Sequence, residues 1–181
     1  SNHFMRIGLF FGSFNPVHTG HMIIAQHVVE FSELDQVWLV VSPHNPLKNE
    51  HSLARDYDRL HLVNLAIGDH PRLRSCDVEF HLPKPSYTID TLTYLKEKYP
   101  AHQFELILGG DNLFSLHRWK NFEILLRDYP MHLYHRNEAQ ENPYESSGKF
   151  FYYDAPLLDI SATWVRKLIK DGKSVRYYVP D

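Results

Sequence analysis

His18 and His21 stand three residues apart in the run Gly12-Ser13-Phe14-Asn15-Pro16-Val17-His18-Thr19-Gly20-His21. An apolar stretch precedes this run, and a segment with Ile23, Ile24, Val28 and Val29 follows it, so it reads as the loop of a strand–loop–helix unit. Thr19 is expected to cap a helix that begins at Gly20-His21. In an open parallel sheet, a loop leaving the carboxyl end of the first strand is where nucleotides bind. The helix start offers unpaired N–H groups and a positive dipole end, which suit a phosphate. Gly12 permits a sharp turn and leaves room for a triphosphate against the main chain, and Gly20 lets a ligand approach the helix end. Ser13 and Thr19 can donate hydroxyl hydrogen bonds. The run has neither the Gly-Lys-Ser/Thr of a Walker loop nor Gly-x-Gly-x-x-Gly. Two plainer readings stay open. The run could be a βα turn with surface histidines, or half of a metal site, for which no third ligand stands at a telling spacing.

Further candidates stand on later loops. Ser42-Pro43-His44-Asn45-Pro46-Leu47-Lys48 leaves the carboxyl end of a second apolar run, where Lys48 can reach a phosphate. Arg55 and Arg59 are candidates for phosphate contacts, surface salt bridging being the commoner fate. In Lys84-Pro85-Ser86-Tyr87-Thr88, either Ser86 or Thr88 can cap the helix that follows, and a helix start with a free hydroxyl receives a carboxylate well. Gly109-Gly110-Asp111 suits a ribose hydroxyl acceptor or a simple cap. Trp119 could stack on a pyridine or purine face or serve in the core. Ser161 is expected to cap a last helix, and Thr163 and Arg166 add a hydroxyl and a charge suited to phosphate.

These segments carry a resemblance. Gly12 to His21 resembles the G-[ST]-F-[DN]-P-x-H-x-G-H signature of the nucleotidylyltransferase superfamily. Ile160-Ser161-Ala162-Thr163-Trp164-Val165-Arg166 is similar to its second signature, I-S-[SA]-T-x-[IV]-R. Three middle segments resemble the nicotinate mononucleotide adenylyltransferases: the proline-rich loop ending at Pro46-Leu47-Lys48, where the family often has P-H-K; Pro85-Ser86-Tyr87-Thr88 with Thr91-Leu92; and Gly109-x-Asp111 followed by Trp119. Tyr177-Tyr178-Val179-Pro180-Asp181 looks like the family's closing Val-Pro segment, and the sequence stops there, short of a final helix that many members have.

The resemblance implies a Rossmann-like fold and a reaction of ATP with nicotinate mononucleotide, giving nicotinate adenine dinucleotide and pyrophosphate in NAD synthesis. It implies that Gly12, Ser13, Phe14, His18, Gly20, His21, Ser161, Thr163 and Arg166 meet ATP. Asn45, Lys48, Tyr87, Thr88, Asp111 and Trp119 would hold the mononucleotide, with Thr88 beside the pyridine ring and Trp119 stacked on it. His18, His21, Lys48 and Arg166 would be the catalytic set, with Mg²⁺ carried by the substrate phosphates and no metal held by protein ligands. Nicotinamide mononucleotide or phosphopantetheine as the second substrate, and a nucleotide sensor without catalysis, are the alternatives.

The elements must deliver these loops to one rim. Strands are expected over 5–11, 36–41, 73–76, 104–108, 131–134 and 150–153, with 77–81 an edge extension of the third. Helices are expected over 20–31, 53–67, 88–99, 122–127 and from Ser161 to near Gly172. The opening β-α-β order and the near-continuous apolar strands predict a doubly wound, mostly parallel α/β sheet. Residues 136–149 are polar and read as a mobile surface loop.

The length of 181 residues suits one domain, expected over 5–181, with Ser1-Asn2 a cloning remnant ahead of a start at Met5. A composition of 43% hydrophobic and 23% charged residues reads as globular. The net charge of −3 argues against broad binding to nucleic acid. The lone Cys76 excludes an internal disulfide and fits a cytoplasmic setting. No apolar run is long enough for a membrane span, and the start lacks a signal-peptide pattern. The sequence carries no signal for a particular oligomeric state.

Overall fold

Six parallel strands lie in the order β3-β2-β1-β4-β5-β6 in a computed structural model that describes residues 3–43, 55–135 and 141–180. They are β1 (Arg6–Gly12), β2 (Gln36–Val41), β3 (Leu73–Cys76), β4 (Gln103–Gly109), β5 (Met131–Tyr134) and β6 (Phe150–Tyr153). The helices are α1 (Thr19–Phe31), α2 (Asp56–Ile67), α3 (Thr88–Lys98), α4 (Phe122–Asp128) and α5 (Ala162–Lys170). Strand order reverses between β1, paired with β2 on one side, and β4 on the other. That reversal opens a crevice at the carboxyl ends of the two strands.

Both faces of the sheet are covered, which explains the unbroken apolar runs. Ile7, Leu9, Trp38, Val40, Leu106 and Leu108 point to one core with Leu92 and Leu95 of α3 and Leu125 of α4. Phe10, Val37, Leu39, Val41 and Ile107 point to the other, with Val28 and Val29 of α1 and Val63 of α2. Gly8 marks the tightest point of that second core. A Cβ there would lie 2.7 Å from Leu34 Cδ1 and 2.8 Å from Ile107 Cδ1.

The strands fall where the sequence predicts them, and three local expectations are corrected. Residues 78–81 form a 3₁₀ turn rather than an edge extension, with the adjacent Val78 and Glu79 both buried. Thr19 is the first residue of α1, and His18 holds the cap position. Tyr87 holds the cap position of α3 without a side-chain bond, so neither Ser86 nor Thr88 caps it. The predicted start of the second helix at residue 53 lies outside the described residues; α2 begins at Asp56. In the described part of the 136–149 stretch, Asn142 is buried and bonds Tyr152 Oη at 3.1 Å, which ties the stretch to β6.

Candidate active site

The loop between β1 and α1 is built around an aromatic base. Phe14 turns with φ at 47° and buries its ring edge-on against Phe10, 5.7 Å between centroids. Phe14 also meets His21 at 4.9 Å, and the His18 and His21 rings stack at 3.7 Å with 25° between planes. The His18 N–H donates to His21 Nδ1 at 3.1 Å. That bond makes Nδ1 an acceptor, so the proton of a neutral His21 ring sits on Nε2 and can be donated outward.

Burial, then the neighbouring His18, pushes the His21 pKa down to about 3. Burial also lowers that of His18. At neutral pH His21 is therefore an uncharged donor. His18 Nδ1 is buried without a hydrogen-bond partner among the described residues. Gly20 exists for the histidine as much as for any ligand. A Cβ there would lie 2.9 Å from His18 Cε1 and 3.0 Å from Nδ1. A Cβ at Gly12 would likewise lie 3.1 Å from the nearest carbon of the Phe14 ring.

The last helix closes on this loop. Ser161 Oγ caps α5 by accepting the Trp164 N–H at 3.1 Å. Arg166 Nη1 donates to the Asn15 carbonyl at 2.6 Å, and Nη2 to Thr163 Oγ1 at 3.1 Å. The two segments with the strongest sequence patterns thus share one place, at two helix starts. Thr19 serves a different end from capping. Its Oγ1 donates to the Tyr177 carbonyl at 2.7 Å and its N–H to that of Tyr178 at 2.8 Å.

A cleft of about 330 Å³ opens beside this cluster. Gly12 and Phe11 of β1, Ser42 after β2, Thr88 at the start of α3, Gly109 at the end of β4, Asn112 and Trp119 form its walls. Asp111 is exposed on the 3₁₀ turn Gly110–Phe114, its Oδ1 2.6 Å from where a Gly109 Cβ would stand. Tyr87 is exposed, and its ring carries Lys120 Nζ at 5.1 Å from the centroid. Neither Asp111 nor Tyr87 forms a wall of the cleft. Ser13 is exposed at the loop. Phe14, 2% exposed, supports the histidines from below. Asn45 and Lys48 lie outside the described residues. Among the described residues, no three His, Cys, Asp or Glu side chains gather into a metal set.

Two residues with structural weight here had no such role in the sequence reading. Arg59 neither meets solvent nor stands ready for phosphate. It is 1% exposed, donates to the carbonyls of Ser13 and Ser42, and pairs with Asp56 at 2.6 Å. It thereby ties the β1 loop to the exit of β2. Its pairing with an acid three residues earlier was visible, but that pattern belongs equally to exposed helix faces. Glu79 is the second. It is 4% exposed on the 3₁₀ turn after β3, and nothing in its local sequence distinguishes it from a surface acid.

Residues 9–168 match the family described as cytidylyltransferase-like. The chain is 49% identical over 178 residues to a Flavobacterium psychrophilum protein named "Probable nicotinate-nucleotide adenylyltransferase", covering 97% of this chain and 92% of that one. A Cytophaga hutchinsonii protein of the same name is 50% identical over 175 residues, with 97% and 91% covered. Among solved structures, Plasmodium falciparum nicotinic acid mononucleotide adenylyltransferase complexed with NaAD superposes with a TM-score of 0.75 at 19% identity, covering 94% of this chain and 87% of that one. At that identity the superposition speaks for the fold alone, and the fold is the Rossmann-like one expected.

Proposed function

This chain belongs to the cytidylyltransferase-like family and, within it, to the nicotinate-nucleotide adenylyltransferases, and from that premise we propose that it transfers the adenylyl group of ATP to nicotinate mononucleotide in NAD biosynthesis. A phosphate oxygen of the mononucleotide attacks the α-phosphorus of ATP. One P–O bond forms, the bond to the β-phosphate breaks, and pyrophosphate leaves with that electron pair. The substrate phosphate is itself the nucleophile, so the protein contributes position and charge stabilisation.

The observation that carries this reading is the meeting of the two helix starts around His21. His18 and His21 bond the triphosphate, with His21 donating from Nε2. Gly12, Ser13 and Gly20 let the phosphates lie close to the main chain. Ser161, Thr163 and Arg166 take the far side, where Arg166 and Lys48 neutralise the departing pyrophosphate. The mononucleotide occupies the cleft. Thr88 offers a hydroxyl and helix-start N–H groups to the pyridine carboxylate, and Trp119 stacks on the ring. Asp111, Tyr87, Asn45 and Lys48 complete its contacts.

Mg²⁺ would arrive on the triphosphate, where it would supply charge neutralisation. No helix among the described residues is long and apolar enough to cross a membrane. A cytoplasmic setting belongs to this reading. The test is pyrophosphate release with ATP and Mg²⁺, offering nicotinate mononucleotide, nicotinamide mononucleotide and phosphopantetheine in parallel. A strong preference for the first is expected. Equal use of both pyridine nucleotides would remove the role given to Thr88, and activity only with phosphopantetheine would overturn the assignment of the cleft.

A further inference from the structure

Glu79 sits beneath the cleft, between the exit of β2 and the start of α3. Its Oε2 accepts the Thr91 hydroxyl at 2.8 Å, and the Ser42 and Ser86 side chains face the same carboxyl. Thr91 is fully buried, and its hydroxyl reaches back to the Tyr87 carbonyl at 3.4 Å. Three segments therefore meet on one carboxyl: Ser42 after β2, Ser86 in the loop before α3, and Thr91 in the first turns of α3.

Two of the cleft walls, Ser42 and Thr88, are spaced by this junction. Burial raises the Glu79 pKa while Thr91, Ser42 and Ser86 act to lower it; as a carboxylate the group only accepts, so a hydroxyl turned to it points its proton downward. Ser42 is then left with lone pairs facing the cleft, ready to accept from a ligand hydroxyl. The start of α3, held through Thr91 and Ser86, keeps its N–H groups aimed at the ligand.

We propose that Glu79 is a positioning residue for the mononucleotide: it touches no substrate, but sets the spacing of Ser42 and Thr88 and the direction of the Ser42 hydroxyl. This rests on the assignment of the cleft to nicotinate mononucleotide. It separates the two substrates, because the phosphate cluster at His18, His21 and Arg166 has no bond to Glu79.

The test is Glu79→Gln in the full chain. The volume is kept, but one oxygen becomes a donor, so at least one of the three hydroxyls must reverse. The KM for nicotinate mononucleotide is expected to rise about tenfold or more while that for ATP stays within about twofold. A general loosening of the fold would raise both together, and that result, or no change in either, would overturn the proposal. Should Glu79→Gln fail to fold, Ser42→Ala removes only the half-buried partner and should reproduce the selective rise in smaller measure. Its failure to do so would equally overturn the proposal. A wild-type protein inactive toward nicotinate mononucleotide would instead remove the functional assignment itself, which the same assay records before any variant is compared.

Discussion

A histidine held at a pKa of about 3 carries no charge at neutral pH, so in the proposed reaction His21 would meet a triphosphate as an oriented dipole. Its Nδ1 is taken by the His18 N–H, and only Nε2 is left to donate. Removing that donor in His21→Ala should lower kcat at least about tenfold, some 1.4 kcal/mol of barrier, with ATP still bound. A smaller loss in single-turnover measurements would deny His21 its place at the α-phosphate. The same geometry has a signature in stability. The folded pKa lies below the ordinary value of 6.5, so between pH 6.5 and about 3 the unfolded chain binds the extra proton. Nothing is contributed above pH 6.5, and stability drains away as the pH falls below it, by up to about 1.4 kcal/mol per pH unit. Urea midpoints taken at pH 7, 6 and 5 should show a steeper loss in the wild type than in His21→Ala. Parallel curves would mean that the ring is not held neutral. At this scale the sequence was informative about residue types and silent about their partners. His18, Gly20 and His21 could be picked out from spacing, but that Gly20 makes room for the His18 ring is visible only once the rings are stacked.

Elements place these residues, and here the legible and the hidden divide by physical cause. Continuous apolar runs announce strands covered on both faces, and β1 and β2 lie where those runs are. Alternation over residues 77–81 suggested an extension of the third strand because Val78 and Phe80 are apolar, whereas the segment from Val78 turns in 3₁₀ form and buries Glu79 beside Val78. The polar residues inside the sheet were also hidden. Glu105 of β4 is fully buried, bonds Arg6 Nε of β1 at 2.7 Å, and receives His132 of β5 at 2.8 Å. His132 in turn reaches Tyr153 of β6 at 2.7 Å. Local patterns do not reveal these pairings, which join residues 21, 27 and 99 positions apart in the chain. Burial pushes the Glu105 carboxyl up, but the bonds from Arg6 and His132, with their charges, outweigh it and hold the pKa at about 2. The folded value lies below the ordinary 4.5, so this stabilisation is complete above pH 4.5 and lost as the pH falls from 4.5 toward 2. Glu105→Gln should cost about 3 kcal/mol at pH 7, because it leaves the Arg6 charge without its partner. It should also remove that acid-dependent part of the unfolding curve. A cost below about 1 kcal/mol in urea titrations at pH 7 would show that the network contributes little.

At the scale of the molecule, the end of the described chain returns to its beginning. The reversal of strand order between β1 and β4 opens the crevice, and α5 with the segment after it closes one side. Arg166 joins α5 to the Asn15 carbonyl. Beyond α5, the carbonyls of Tyr177 and Tyr178 receive the Thr19 hydroxyl and N–H, and the Tyr178 ring stands edge-on to Trp164 at 5.1 Å. Thr19 begins α1, so its N–H is one of the helix-start donors that no turn of the helix can satisfy. The Tyr178 carbonyl accepts it, which anchors the start of α1 beside His18 and His21. Removing residues 174–181 returns that N–H to water and takes the Tyr178 ring from Trp164, while none of the described residues among them forms a wall of the cleft. The truncated chain should lose about 1–2 kcal/mol in urea denaturation. Its KM for ATP should rise several-fold, with the KM for nicotinate mononucleotide little changed. This is the reverse of the pattern expected for Glu79→Gln, so the two changes together separate the triphosphate side of the crevice from the mononucleotide side. An unaltered KM for ATP after truncation would mean that α1 holds its histidines in place without the chain's last turn.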